Sequence, residues 1–215
     1  MAQRHPRPVT PQRTVTLALT GASGMPYGMR LLECLLRSPT RVYLIYSQAA
    51  QIVARQEMNL SLPARASEAA AVLTQRYSPE EGQLRVFGRE EWFAPVASGS
   101  NPADAMVICP CTMGTLAAVA SGLADNLIER AADVMLKERR PLILVPRETP
   151  LSTIHLENML RLSRAGATVL PANPGFYHLP DTVDALVDFV VARILDQLDI
   201  EHELMSRWGE RRDGV

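Results

Sequence analysis

Hydrophobic residues along this chain fall into two rhythms. Short runs, TVTLAL (14–19), RVYLIYS (41–47), AMVICP (105–110), PLILVP (141–146) and ATVLPA (167–172), are apolar or β-branched at most positions and do not alternate. Strands covered on both faces of a sheet show that pattern. Between them lie longer stretches in which apolar residues recur every three to four positions, the period of an amphipathic helix. These are MRLLECLL (29–36), QAAQIVARQEM (48–58), MGTLAAVASG (113–122), DNLIERAADVMLKER (125–139), STIHLENMLRLSRAG (152–166) and DTVDALVDFVVARILDQL (181–198), two of them closed by Gly122 and Gly166. LRVFG (84–88) reads as a short strand or edge piece.

Apolar strands alternating with helices predict an α/β chain: a single-domain, Rossmann-like, doubly wound parallel sheet with helices on both faces. Residues 1–13 carry three prolines among polar residues and offer no periodic face to bury, so they are expected to form a mobile N-terminal arm. The domain is expected over 14–208, with 209–215 as a C-terminal tail.

In such a fold, ligands sit outside the carboxyl ends of the strands. The segments there are TGASG (20–24), SQAA (47–50), CTMGT (111–115), PRETP (146–150) and NPGFYH (173–178). Gly21 and Gly24 permit a tight turn, Ser23 adds a hydroxyl, and the following helix aims free N–H groups at an anion. The spacing is not GxGxxG, and the second strand ends on Ser47 where a dinucleotide site offers an acid to the ribose. A mononucleotide or another flat phosphorylated ligand fits better; the alternative is a glycine turn used only for helix–strand packing. Thr112, Gly114 and Thr115 repeat the theme, with simple N-capping by Thr112 or Thr115 as the alternative.

Composition narrows the partners. With 215 residues, 47% hydrophobic, 21% charged and a net charge of −1, the chain can bury a sizeable core but has no electrostatic footprint for nucleic acid. Cys34, Cys109 and Cys111 form no CxxC, and His5, His155, His178 and His202 show no metal-ligand spacing. No metal is expected. Cys109 and Cys111 should be reduced thiols packed at a strand end, and His155 should lie on a helix surface. No apolar h-region opens the chain and no stretch approaches 18 consecutive apolar residues, which predicts a cytoplasmic protein without a membrane span.

Cations supply the remaining chemistry. Arg130 and Lys137 are seven residues apart, hence about 20° apart around one helix, on the flank of the Leu127, Ala131 and Val134 stripe. They point into one cleft, or else stay solvated and pair with neighbours such as Glu129 or Glu138. Arg147 and Glu148 directly follow a buried strand, and Arg193 adjoins the Leu186, Val190 and Ile194 stripe, from which it is expected to turn towards Tyr177. Together these cations predict a phosphate clamp.

Several segments taken together resemble the flavin prenyltransferases of the UbiX type, within the wider group of homo-oligomeric flavin-containing cysteine decarboxylase-like proteins. They are TGASGMPYGMRLL, SGS (98–100), MVICPCTMGTLAAVASG, NLIERAADVMLKERRPLILVPRETPLS, HLENML and PANPGFYHLP. The resemblance implies transfer of a dimethylallyl group from dimethylallyl phosphate to N5 and C6 of reduced FMN, without metal. The product, prenylated FMN, would serve a UbiD-type decarboxylase, with ubiquinone biosynthesis a common setting, and the working unit would be a homododecamer with sites at subunit junctions. It further implies that Gly21, Ala22, Ser23, Ser47, Thr112, Met113, Gly114, Thr115 and Arg147 hold FMN. Arg130, Lys137, Tyr177 and Arg193 would grip the donor's phosphate, and Trp92 and Trp208 would shield the allylic cation. Ser23, Glu57 and Glu148 would handle protons, with Lys137 also among the catalytic set. Two departures are small: residues 1–13 precede the usual start, and Val96 stands where a second proline is expected. A flavin-dependent decarboxylase of the cysteine-decarboxylase type is the first rival, but PRETPLSTIHLENML replaces its PxMNxxMW pattern. A noncatalytic flavin-binding subunit is the second, and it would not need Arg130, Lys137, Arg193 and Glu148 together.

Overall fold

The computed structural model describes residues 13–206. The expected arm up to residue 12, the tail and Trp208 lie outside the described residues. Arg13 does not belong to the arm: its backbone pairs with Thr40 as the first residue of a strand, and its guanidinium donates to the Leu198 carbonyl.

Among the described residues, β1 (Arg13–Leu19), β2 (Thr40–Tyr46), β3 (Leu84–Phe87), β4 (Ala105–Cys111), β5 (Leu142–Pro146) and β6 (Thr168–Val169) form one parallel sheet in the order β3-β2-β1-β4-β5-β6. The helices are α1 (Met25–Arg37), α2 (Gln48–Met58), α3 (Ala66–Tyr77), α4 (Met113–Ala120), α5 (Leu127–Lys137), α6 (Thr153–Arg164) and α7 (Val183–Gln197). The two halves wind outward from β1 and β4, which places the switch-point crevice between these strands.

Alternation along each strand divides the core in two. Val15, Leu17, Leu19 and Val107 pack with Leu31 and Leu35 of α1 and Val190 and Ile194 of α7. Ala18, Met106, Ile108 and Leu144 pack on the other face with Leu116 of α4 and Ala131 and Met135 of α5. Both faces are therefore covered, as the non-alternating strands predict. Gly28 lets α1 lie directly on the end of β4: a Cβ there would come within 2.4 Å of the Cys109 carbonyl oxygen.

Two elements depart from the expected pattern. The last strand is only Thr168–Val169, although the Leu170 and Ala172 amides still donate to Leu144 and Pro146; Pro171 between them sits on the edge strand with its nitrogen on the unpaired side, where no ladder bond is lost. Helix α3 comes from an alanine-rich segment that buries only Ala69 and Leu73, too narrow a stripe to stand out as a hydrophobic period.

Cys109 and Cys111 are fully buried at the end of β4, and desolvation pushes both thiols up, Cys111 to about 12. His155 is half-buried and closes a capping box at the start of α6, accepting from the Ser152 amide while Ser152 Oγ accepts from its own. No helix among the described residues is long and apolar enough to cross a membrane.

Candidate active site

The turns after β1 and β4 are locked together by Thr20. Its buried hydroxyl donates to the Pro110 carbonyl at 2.7 Å and accepts from the Thr112 amide at 2.8 Å. The ends of β1 and β4 thus form one rigid cradle at the switch point. Sequence reasoning missed Thr20, since a lone threonine at a strand end carries no pattern.

Within the cradle, Ala22 is buried and Ser23 is exposed. Gly21 is required by packing: a Cβ there would lie 2.3 Å from Ala49 Cβ in the first turn of α2. Gly114 is different, because a Cβ there would meet only Thr112 Oγ1, at 3.9 Å. Packing leaves that backbone open to the close approach of a ligand. Ser47 Oγ accepts from the Ala50 amide, and Thr112 Oγ1 accepts from the Thr115 amide and donates to Thr115 Oγ1. Thr112 is thus the N-cap of α4, as its capping alternative has it, and Ser47 caps α2 in the same way. Met113 is buried behind the α4 turn.

The N-terminus of α1 is not free for a ligand anion, contrary to expectation. The Glu57 carboxylate, reaching over from α2, accepts from the Gly24 amide at 3.0 Å and the Met25 amide at 2.8 Å. It supplies the negative charge that this helix end favours. Glu57 is thereby placed against the TGASG turn, next to Ser23.

Arg147 spans from β5 to the same turn, its Nε donating to the Ser23 carbonyl at 3.3 Å. Beside it Glu148 is exposed, its carboxylate accepting from the Thr149 amide. Arg147 and Glu148 line a cavity of about 360 Å³ between the ends of β5 and β6.

The expected phosphate clamp does not converge within one chain. Arg130 on α5 donates to the Ala97 carbonyl at 3.0 Å and pairs with Asp133 at 2.6 Å. Lys137 pairs with Glu138, the neighbour expected if the cation were not a ligand, and both pack beside Gly99 of the SGS segment. Arg193 lies on α7, across the sheet from α5, and is half exposed and paired with Asp196. It stands in the last turns of α7, the helix whose end meets Arg13 at the start of β1, so it is directed away from the strand ends. The expectation that Arg193 turns towards Tyr177 fails on the rise of the helix: eleven residues past the Thr182 cap is about 16 Å. Tyr177 stays near the end of β6, edge-on to Phe189 with ring centroids 5.8 Å apart. Trp92 is partly exposed, and Phe93 beside it is completely exposed.

Comparison with known proteins decides the family. The chain matches the Flavoprotein family over residues 3–195. It is 58% identical over 201 residues to the flavin prenyltransferase UbiX of Pseudomonas aeruginosa, covering 94% of this chain and 96% of that protein. The chain belongs to the flavin prenyltransferase UbiX family. A UbiX from Halalkalibacterium halodurans is 49% identical, with 92% of this chain and 94% of that protein covered. Among solved structures, a UbiX (PadA1) in complex with FMN and dimethylallyl pyrophosphate superposes with a TM-score of 0.81 at 41% identity, covering 91% of this chain and 97% of that one. A dodecameric FMN-dependent UbiX-like decarboxylase from Escherichia coli O157:H7 gives 0.80 at 43% identity, covering 91% and 98%. The cysteine decarboxylase TvaF, at 19% identity and a TM-score of 0.56, shares the fold alone.

A UbiX-type cradle suits a mononucleotide here on the chain's own geometry. Ser47 replaces the ribose-reading acid, Gly114 is open, and Thr20 fixes the two turns that would hold one flat ligand. No group of three or more metal-ligating side chains occurs among the described residues.

Proposed function

We propose that this chain transfers a dimethylallyl group from dimethylallyl phosphate to reduced FMN, forming bonds at N5 and C6 and giving prenylated FMN. The observation that carries the reading is the near full-length likeness to a UbiX solved with both FMN and a dimethylallyl donor. Reduced FMN supplies the nucleophilic N5 and C6; everything else falls to the chain.

Gly21, Ala22, Ser23, Ser47, the 112–115 turn and Arg147 would hold the flavin in the cradle. Arg147 suits this role because its Nε is already fixed on the Ser23 carbonyl, which presets the guanidinium beside the turn. Breaking the allylic C–O bond sends the electron pair to the departing phosphate. Arg130, Lys137, Tyr177 and Arg193 would stabilise that charge, each from the copy that presents it, since one chain does not bring them together. Ser23, Glu57 and Glu148 would carry protons at the turn, and Trp92 and Trp208 would flank the allylic carbons.

A homododecamer fits both this division and the exposed apolar side chains Phe93, Leu151, Ile154, Leu160 and Phe176, which subunit contacts would cover. The enzyme would work in the cytoplasm and deliver its product to a UbiD-type decarboxylase. Release of inorganic phosphate from dimethylallyl phosphate, measured with reduced, oxidised and no FMN, tests the reaction. Release only with reduced FMN is expected; release independent of flavin contradicts it.

A further inference from the structure

Arg193 is not a free surface cation. Its Nη1 donates to Asp196 Oδ2, one turn further along α7, and Asp196 Oδ1 lies 3.2 Å from Nε2 of His202 in the segment that follows the helix. The ring's other nitrogen settles the direction of that second bond. Nδ1 accepts from the Leu204 amide at 3.4 Å, so its lone pair is engaged and the ring proton sits on Nε2, from which it is donated to Asp196. Exposure falls along this chain of contacts: the Arg193 side chain is 50% exposed, that of Asp196 28% and that of His202 7%. Ile200, Leu204 and Met205, on either side of His202, pack against the core on the α1–α7 face and anchor the ring.

An ion pair three residues apart on a helix surface is ordinarily weak, because both side chains must be ordered in water to make it. Here one partner is already ordered. His202 holds the second oxygen of Asp196, so the carboxylate meets Arg193 with its orientation set. The bond from His202 also polarises the carboxylate away from the guanidinium, which Asp196 therefore orients without cancelling its charge. Among the described residues only Nη1 of Arg193 is engaged, and Nε and Nη2, which share one edge of the fork, are left to meet two oxygens of a phosphate. We infer that Asp196 and His202 are positioning residues, holding the Arg193 guanidinium so that this edge faces the donor's phosphate in a neighbouring copy. The inference rests on the assignment of Arg193 to that phosphate under the proposed function.

The test is a double-mutant cycle on the assembled enzyme, reading kcat/KM for dimethylallyl phosphate, FMN affinity and the midpoint of urea unfolding. His202→Phe keeps a buried ring and removes the Nε2 donor. It is expected to lower kcat/KM about tenfold through misplacement of the cation, with FMN affinity unchanged. His202→Gln, whose side-chain amide can donate from the same place, should restore most of that loss. In an Arg193→Ala background His202→Phe should lower kcat/KM no further, since no guanidinium is left to position. Asp196→Asn, which has one acceptor oxygen for two donors, carries the same cycle should His202→Phe not fold. A loss repeated in full in the Arg193→Ala background, or a lowered unfolding midpoint with kcat/KM unchanged, makes the contacts structural and overturns the inference. Wild-type kcat/KM in Arg193→Ala overturns the assignment of Arg193 to the donor's phosphate itself, and the inference with it.

Discussion

Thr20 and Thr112 are joined side chain to backbone, the Thr20 hydroxyl accepting from the Thr112 amide at 2.8 Å while it donates to the Pro110 carbonyl. That one buried group holds the ends of β1 and β4 at a fixed separation across the switch point.

Thr20→Val keeps the shape and removes both bonds, leaving the Thr112 amide without its acceptor. Stability should fall by about 1–3 kcal/mol. FMN affinity should fall about tenfold as the two turns loosen. Urea unfolding and a flavin titration check the pair; unchanged FMN affinity with reduced stability would mean that the lock is purely structural.

Glu57→Ala removes the carboxylate at the α1 N-terminus and exposes the Gly24 and Met25 amides. Because Glu57 is solvent-exposed, the loss of stability should stay near about 1 kcal/mol. Prenyl transfer should slow far more than that figure accounts for if Glu57 handles protons beside Ser23. Single-turnover rates set against unfolding midpoints separate the two effects.

Burial raises the Cys109 and Cys111 thiols, so both remain protonated when folded at pH values where an unfolded cysteine ionises. Their contribution to stability is complete below about pH 8.5 and declines above it, as the unfolded chain gives up protons that the folded chain keeps. Thiol titration of the native protein should find Cys109 and Cys111 unreactive and half-buried Cys34 slow. Rapid modification of two or more thiols in the folded state would contradict this packing.

Arg193→Ala should leave FMN binding nearly intact and slow C–O cleavage about tenfold or more, since a charge-assisted contact to the donor's phosphate is worth about 1.5–3 kcal/mol. Because Arg130 and Arg193 lie on opposite faces of one chain, mixed assemblies of Arg130→Ala and Arg193→Ala subunits should recover activity that neither has alone. Absence of complementation in assemblies shown to be mixed would place the clamp within one chain.

The strands and most helices were legible because burial on both faces of a parallel sheet leaves no alternation, and AMVICP and PLILVP show this undiluted. The shortened β6 was not, since an apolar run does not show where regular strand pairing stops. The cradle's segments were readable as small residues after strands, but the Thr20 lock and the Glu57 cap join residues far apart in sequence and leave no local pattern. The clamp was readable as residue types but not as an arrangement, because helical phase says which side of a helix a cation occupies and not which face of the sheet that helix covers.

The most direct measurement is the mass of the flavin after the protein is incubated anaerobically with reduced FMN and dimethylallyl phosphate. A flavin heavier by one five-carbon prenyl unit is expected, formed in proportion to enzyme and absent when FMN is supplied oxidised. Recovery of unmodified FMN from protein that binds both ligands would contradict it.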